Sequence, residues 1–224
     1  MGQKKLIKFA AIKQYENVLE YPQGMPGKWR AYFEKLSLGE FPISLDTLEI
    51  SANNSPQNNT AIKPLVLELA CGRGEYAVGL ARLFPEQNFL GLDIKGNRIW
   101  KGASIANKES IKNVAFVRTQ IEQSIQYFAK EEVAEIWITF PDPQPLKSGI
   151  KRRLTNPRFL ELYKEILQND GLMHLKTDSE LLFDYTLEVL PEFGVEELAY
   201  TKDLYNSELN VRHYGIKTRF EQIF

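Results

Sequence analysis

From residue 65 onward, short apolar runs alternate with segments of helical periodicity. Leu65-Val66-Leu67-Glu68-Leu69-Ala70 is an almost continuous apolar run that ends in a glycine turn, the pattern of a strand buried on both faces. Residues 75–84 carry Tyr76, Leu80, Leu83 and Phe84 at helical spacing. Phe89–Asp93 predicts a second strand, 97–108 a helix, Val114–Val117 a third strand and 121–130 a helix. Glu135–Phe140 predicts a fourth strand, bounded by Pro141; a helix over 156–168, a fifth strand over 172–176 and a helix over 179–190 follow, and 195–201 is a candidate sixth strand. Strands alternating with helices at short spacing predict an α/β fold, a mostly parallel sheet flanked by helices on both faces. In such sheets ligands bind beyond the carboxyl ends of the strands, so the residues at those ends carry the functional question.

The first 62 residues lack this alternation. Lys4, Lys5, Lys8 and Lys13 make a basic start, a Pro/Gly-rich stretch covers 21–27, and Trp29 to Leu36 predicts a short helix. The polar run SANNSPQNNTA (51–61) reads as a surface loop or linker. The organisation expected is therefore an N-terminal extension with a basic arm and linker (1–62) and one main domain (63–224).

Composition narrows the picture. A net charge of −1 and a pI near 6.2 give no global attraction for nucleic acid, so any such contact must rest on a local basic patch. One cysteine, Cys71, allows no intrachain disulfide and fits a reducing compartment. No apolar run approaches the roughly 18 residues of a membrane span, and the N-terminus lacks the apolar core of a secretory signal. The expectation is a cytoplasmic protein. With two histidines and one cysteine scattered along the chain, no metal-ligand pattern forms, and no metal is expected.

The first strand ends in Glu68-Leu-Ala-Cys-Gly72-Arg-Gly74. Glycines at such a turn let the backbone bend sharply and let a ligand approach closely, beside the N-terminus of the next helix. Gly72-x-Gly74-x-x-Ala77 also satisfies the dinucleotide fingerprint, and Asp93 ends the second strand about 20 residues on, where an acid can bind ribose hydroxyls. A plain tight turn is the third reading. Glu68 separates the cofactors: E-x-x-x-G-x-G resembles the first motif of Rossmann-like methyltransferases, in which the strand-end acid lies near the aminoacyl end of S-adenosylmethionine. A carboxylate suits an ammonium or sulfonium better than a pyrophosphate.

After the fourth strand comes Pro141-Asp142-Pro143-Gln144-Pro145-Leu146-Lys147, whose prolines stiffen the turn around Asp142. Lys151-Arg152-Arg153-Leu154-Thr155 and Pro157-Arg158-Phe159-Leu160 follow, then His174-Leu175-Lys176-Thr177-Asp178 and Ile216-Lys217-Thr218-Arg219-Phe220-Glu221. Together, and in this order from about residue 64 to 221, these motifs resemble the bacterial single-chain tRNA (guanine-N7-)-methyltransferase family, class I S-adenosylmethionine-dependent enzymes. The resemblance implies a Rossmann-like class I fold and methyl transfer to N7 of a guanine in the variable loop of tRNA. It implies cofactor positions at Glu68, Gly72, Gly74, Asp93 and Gln120, the last standing where family members often have Asp. It places Asp142 between cofactor and target guanine, as both a cofactor-binding and the catalytic residue. Lys147, Arg152, Arg153, Asp178, Thr218 and Glu221 would fall on substrate positions, Thr218 and Glu221 within the family pattern T-x-Y/F-E.

The chain departs from the family at Gln144, where many members have Trp, at Leu146, where many have Lys, and at Ser148-Gly149, where an Arg-His pair is common. Lys147 stands one step from the family lysine. Guanine N7 has a lone pair and no proton, so methylating it needs no general base, and a site rich in carboxylates and poor in histidine suits that chemistry. Lys147, Lys151, Arg152, Arg153 and Arg158 form the local basic patch that phosphates require. The partner implied is tRNA; the family has both monomers and homodimers. Two other readings stay open here: a methyltransferase of the same fold acting on a small molecule or protein, and a catalytically silent RNA-binding module.

Overall fold

The computed structural model describes residues 2–50 and 63–223. The linker expected over 51–61 lies outside the described residues. The strands are β1 (Val18–Glu20), β2 (Leu65–Leu69), β3 (Asn88–Asp93), β4 (Val114–Arg118), β5 (Val133–Thr139) and β6 (Leu167–Lys176). They form one sheet in the order β1-β4-β3-β2-β5-β6, and every pairing is parallel.

The central strands are buried throughout, as continuous apolar runs in a covered parallel sheet must be. Alternate residues serve opposite faces. Leu65, Leu67 and Leu69 pack with helices α2 (Trp29–Leu38) and α5 (Pro157–Ile166). Val66 faces the other way, into a cluster with α1 (Gly2–Ile12), α3 (Glu75–Leu83) and α4 (Gly96–Lys108). Glu68 shares the parity of Val66, which sends its carboxyl toward α3. Helix α6 (Glu180–Val189) follows β6 and starts at Ser179, whose side chain accepts the Leu182 N–H.

Two expectations change. Residues 195–201 form no strand: Leu198 and Tyr200 are exposed and no strand pairs with them. The sixth strand is Val18–Glu20, at the far edge. It is too short for a periodic signal, and its place is set by partners distant in sequence: Val18 to Glu20 pair with Phe116 to Arg118, and Arg118 closes an ion pair of 2.5 Å on Glu20. The segment predicted as a helix over 121–130 forms a 3-10 helix over Ile121–Gln126.

The chain before residue 50 is built into the same core. Trp29, Tyr32 and Phe33 are fully or almost fully buried, and the Trp29 indole N–H donates to the Tyr127 carbonyl at 2.7 Å. The basic start forms α1, which packs on α4 with Ile12 fully buried. Among the described residues, no helix is long and apolar enough to cross a membrane.

After β2 the chain builds β3 and β4 on one side, then crosses to β5 on the other. The order therefore reverses between β2 and β5, and a crevice opens beyond their carboxyl ends.

Candidate active site

A cleft of about 890 Å³ occupies that crevice. One wall is the turn after β2, with Glu68 and Gly72; the other is the loop after β5, with Asp142. Asp178, after β6, and Thr218, near the end of the chain, also line it. Five residues singled out from sequence, spread over 151 positions from 68 to 218, thus meet in one place.

Glu68 is buried at the base of the cleft. Its Oε2 accepts the Ala77 N–H at 2.8 Å and its Oε1 accepts the Thr139 hydroxyl at 3.2 Å. Burial pushes its pKa up to about 8, against those bonds. Asp93 braces the glycine turn: Oδ2 accepts the Gly72 N–H at 2.9 Å and Oδ1 the Lys95 N–H at 2.7 Å. It is buried beside the cleft rather than on its lining. Each carboxylate oxygen has a second lone pair, so these bonds do not exhaust either group.

Gly72 and Gly74 take positive φ, 54° and 68°. A Cβ on Gly72 would meet only the Ala70 carbonyl oxygen, at 3.9 Å, so this position opens on the cleft. A Cβ on Gly74 would come within 2.4 Å of the Phe116 ring, so this glycine serves close packing of loop on sheet. Gln120 is exposed at the start of the 3-10 helix and is not part of the lining. Cys71 is buried, and burial, with Glu68 and Asp93 adding to it, pushes its thiol up and away from the thiolate.

The loop after β5 is sharply folded. Phe140 and Gln144 hold positive φ (46° and 48°), rare for residues with a Cβ. Asp142 is exposed, with Oδ1 accepting the Gln144 N–H at 3.0 Å. What holds the fold is Arg153. It is buried; its Nε donates to the Pro143 carbonyl (3.1 Å), a terminal nitrogen donates to the Gln144 carbonyl (3.2 Å), and its guanidinium carbon lies 4.5 Å from the Tyr185 ring centre, a cation–π contact. Lys147 and Arg152 are exposed nearby, outside the cleft lining. Arg158 pairs with Glu122 at 2.9 Å.

Glu221 is likewise occupied. Oε1 meets Lys176 and the Tyr205 hydroxyl, each at 2.5 Å, and Oε2 accepts the Thr218 N–H at 2.9 Å. Burial works against the charge, but these bonds outweigh it and hold the carboxyl below the usual glutamate range. The neighbouring Phe220 lines the cleft, its ring 5.4 Å from that of Phe140. Asp178 is exposed at the cleft edge.

The opposite wall carries cations that sequence reasoning did not assign to the cleft: Lys8 on α1, Arg73 in the glycine turn, Arg98 and Lys101 on α4, and Arg219. Lys8 lies 4.5 Å over the Trp100 ring. Lys8 was legible only as part of the basic start, and Arg73 and Arg219 only as unassigned positions within motifs; Arg98 and Lys101 gave no signal that local pattern could assemble. Among the described residues, no cluster of His, Cys, Asp or Glu could hold a metal ion.

Residues 62–224 match a family described as "Putative methyltransferase". A tRNA (guanine-N(7)-)-methyltransferase of Bacteroides fragilis is 43% identical over 230 residues, covering 99% of this chain and 81% of the relative. The enzymes of that name from Cytophaga hutchinsonii and Christiangramia forsetii are 39% and 45% identical, with 92% of each relative covered and 100% and 99% of this chain. The crystal structure of the 16S rRNA methyltransferase KamB superposes with a TM-score of 0.51 at 16% identity, over 72% of this chain and 80% of that one, a likeness of fold.

Proposed function

Because the chain belongs to the tRNA (guanine-N(7)-)-methyltransferase family, we propose that it transfers a methyl group from S-adenosylmethionine to N7 of a guanine in the variable loop of tRNA. The observation that carries this reading is the convergence of Glu68, Gly72, Asp142 and Asp178 on one cleft at the switch point of the sheet.

The residues fit the cofactor. A buried carboxyl at the cleft floor suits the ammonium of the zwitterionic aminoacyl end, and Gly72 leaves open the space that a Cβ would fill. Glu68 and Gly72 would hold that end, with Gly74 shaping the turn by its close packing on Phe116; Asp93, beside the cleft, would serve the ribose hydroxyls, and Gln120, outside the cleft lining, would reach the adenine edge only from its rim. When bound, the cofactor supplies a methyl group on a sulfonium, whose in-line transfer depends on alignment of the nucleophile.

Guanine N7 carries no proton, so no residue of this chain has to act as a base. Asp142 and Asp178 are exposed carboxylates at the cleft, suited to accept from the N1–H and N2–H₂ donors of the base. A carboxylate at Asp142 also offsets the positive charge that grows on the ring as N7 is methylated. Thr218 and Phe220 close the cleft from the chain end. Lys147 and Arg152 take phosphates. Arg153 and Glu221, each occupied inside the protein, act by holding the Asp142 loop and the Phe220 strip in place.

The test is methyl transfer from labelled S-adenosylmethionine to unmodified tRNA, with the modified base identified and Asp142→Ala alongside. Label in 7-methylguanine, lost in the variant, is the expected result. Absence of label with cofactor binding intact would sink the substrate assignment.

A further inference from the structure

The basic patch at 147–158 accounts for only part of the positive surface. A second groove, of about 430 Å³, runs along α3 away from the cleft. Its cations are Arg73, Arg82, Lys101, Lys217 and Arg219, drawn from the glycine turn, α3, α4 and the last segment of the chain. It shares Arg73, Glu75, Lys101 and Arg219 with the cleft, so the two form one continuous depression.

The groove is a built feature. Its outer wall is the strip 216–222, laid against α3. The strip lies this close because residue 79 is glycine: a Cβ there would stand 3.0 Å from the Ile216 side chain. The Phe84–Tyr214 edge contact at 4.9 Å fixes one end of the strip, and the Glu221–Lys176 pair fixes the other. Val78, Ile105 and Ile216 add apolar lining.

Charge decides what it takes. Five cations face one acid, Glu75, which sits between Arg73 and Arg219. Arg82 also pairs at the surface with Glu109, at 2.7 Å. In a chain of net charge −1, this surplus is concentrated along a path that leads from the cleft. A discrete anion needs one convergent pocket, whereas cations strung along an open groove suit successive phosphates of a polyanion.

We propose that this groove is a backbone track for the RNA substrate, binding phosphodiester groups of the strand that enters the cleft. This rests on the function proposed above. The groove follows α3 on one face of the sheet, whereas the segment carrying the exposed Lys147, Lys151 and Arg152 leads into α5 on the other face, so the two basic regions would grip the RNA on either side of the target base.

The experiment uses the full chain, unmodified tRNA, and Arg82→Glu and Lys217→Glu, singly and together; both residues line only the second groove. Affinity for tRNA is titrated at several salt concentrations, with S-adenosylhomocysteine binding as the check of folding. The double variant is expected to bind tRNA about tenfold or more weakly at low salt, with the slope of log K against log salt shallower by about 1–2. Lys217 is exposed, so Lys217→Glu alone keeps the test decisive if loss of the Arg82–Glu109 pair unfolds the other variants; its expected slope change is about 1. Unchanged affinity and slope in a folded variant, with wild type binding tRNA, would overturn the track and leave the proposed function standing. Failure of wild type to bind or methylate tRNA would overturn both.

Discussion

Glu221 and Lys176 form a nearly buried ion pair at 2.5 Å that ties the end of the chain to the end of β6. Lys176 also donates to the Tyr76 hydroxyl at 3.1 Å, so the pair joins the strip to α3 as well. One turn of chain separates Thr218 from Glu221, and Phe220 lies within it, facing the cleft. The pair therefore shapes one wall of the site while its own charges are spent on each other.

Removing one partner leaves the other charge buried and unpaired, which costs far more than the pair contributes. Glu221→Ala is expected to lose up to about 3 kcal/mol, as local opening of 214–222 rather than global unfolding. Hydrogen exchange should show faster exchange in this strip, and tRNA methylation should fall while S-adenosylhomocysteine binding survives. Unaltered exchange with lost activity would instead mark Glu221 as a direct substrate ligand.

The pH dependence of this latch has a definite sign. The carboxyl of Glu221 is held below its ordinary value, so its stabilisation is complete above the usual glutamate pKa and is lost as pH falls through the lower folded value. The strip should stay docked at neutral pH and loosen only in acid. Exchange of the 214–222 amides followed against pH, with Glu221→Gln as the control lacking this transition, measures it.

Glu68 has the opposite sign. Its pKa is raised to about 8, so the folded state favours the protonated form; that contribution is full below the ordinary value of 4.5 and is lost as pH rises to about 8. The melting temperature of the free protein should decline over this range, and Glu68→Gln should flatten the decline. The ligand's ammonium favours the carboxylate form of Glu68, so S-adenosylhomocysteine should bind more tightly as pH rises toward 8. Glu68→Gln should remove that dependence and weaken binding about tenfold or more, the scale of a charge-assisted hydrogen bond. Calorimetric titration at several pH values checks both.

Arg152 and Arg153 are neighbours with separate fates. Arg153→Ala removes two bonds to loop carbonyls and the cation–π contact with Tyr185, and should destabilise the protein by about 2–3 kcal/mol. Arg152→Ala should change stability by less than about 0.5 kcal/mol, yet weaken tRNA binding in a salt-dependent way. Thermal melts and binding titrations of the two variants side by side decide it; equal melting temperatures would refute the loop-holding role of Arg153.

The alternation of strands and helices from residue 65 to 189 was written in local order, because a strand buried on both faces must be apolar along its length and a packed helix must repeat its apolar face. The same local order carried the motif residues Glu68, Gly72, Asp142 and Asp178, since each stands at the carboxyl end of a strand that its own periodicity announces. Tertiary structure alone decided three things. Val18–Glu20 became the sixth strand, and 195–201 did not, because pairing depends on an available edge and not on the segment's own alternation. Arg153 and Glu221 turned inward while Lys147 and Arg152 stayed exposed, although all four looked alike as charged residues within motifs. The cations Lys8, Arg73, Lys101, Lys217 and Arg219 came together from four separate segments. What a charge does is set by the groups that surround it in space, and those groups lie up to about 200 residues away along the chain, beyond the reach of any local pattern.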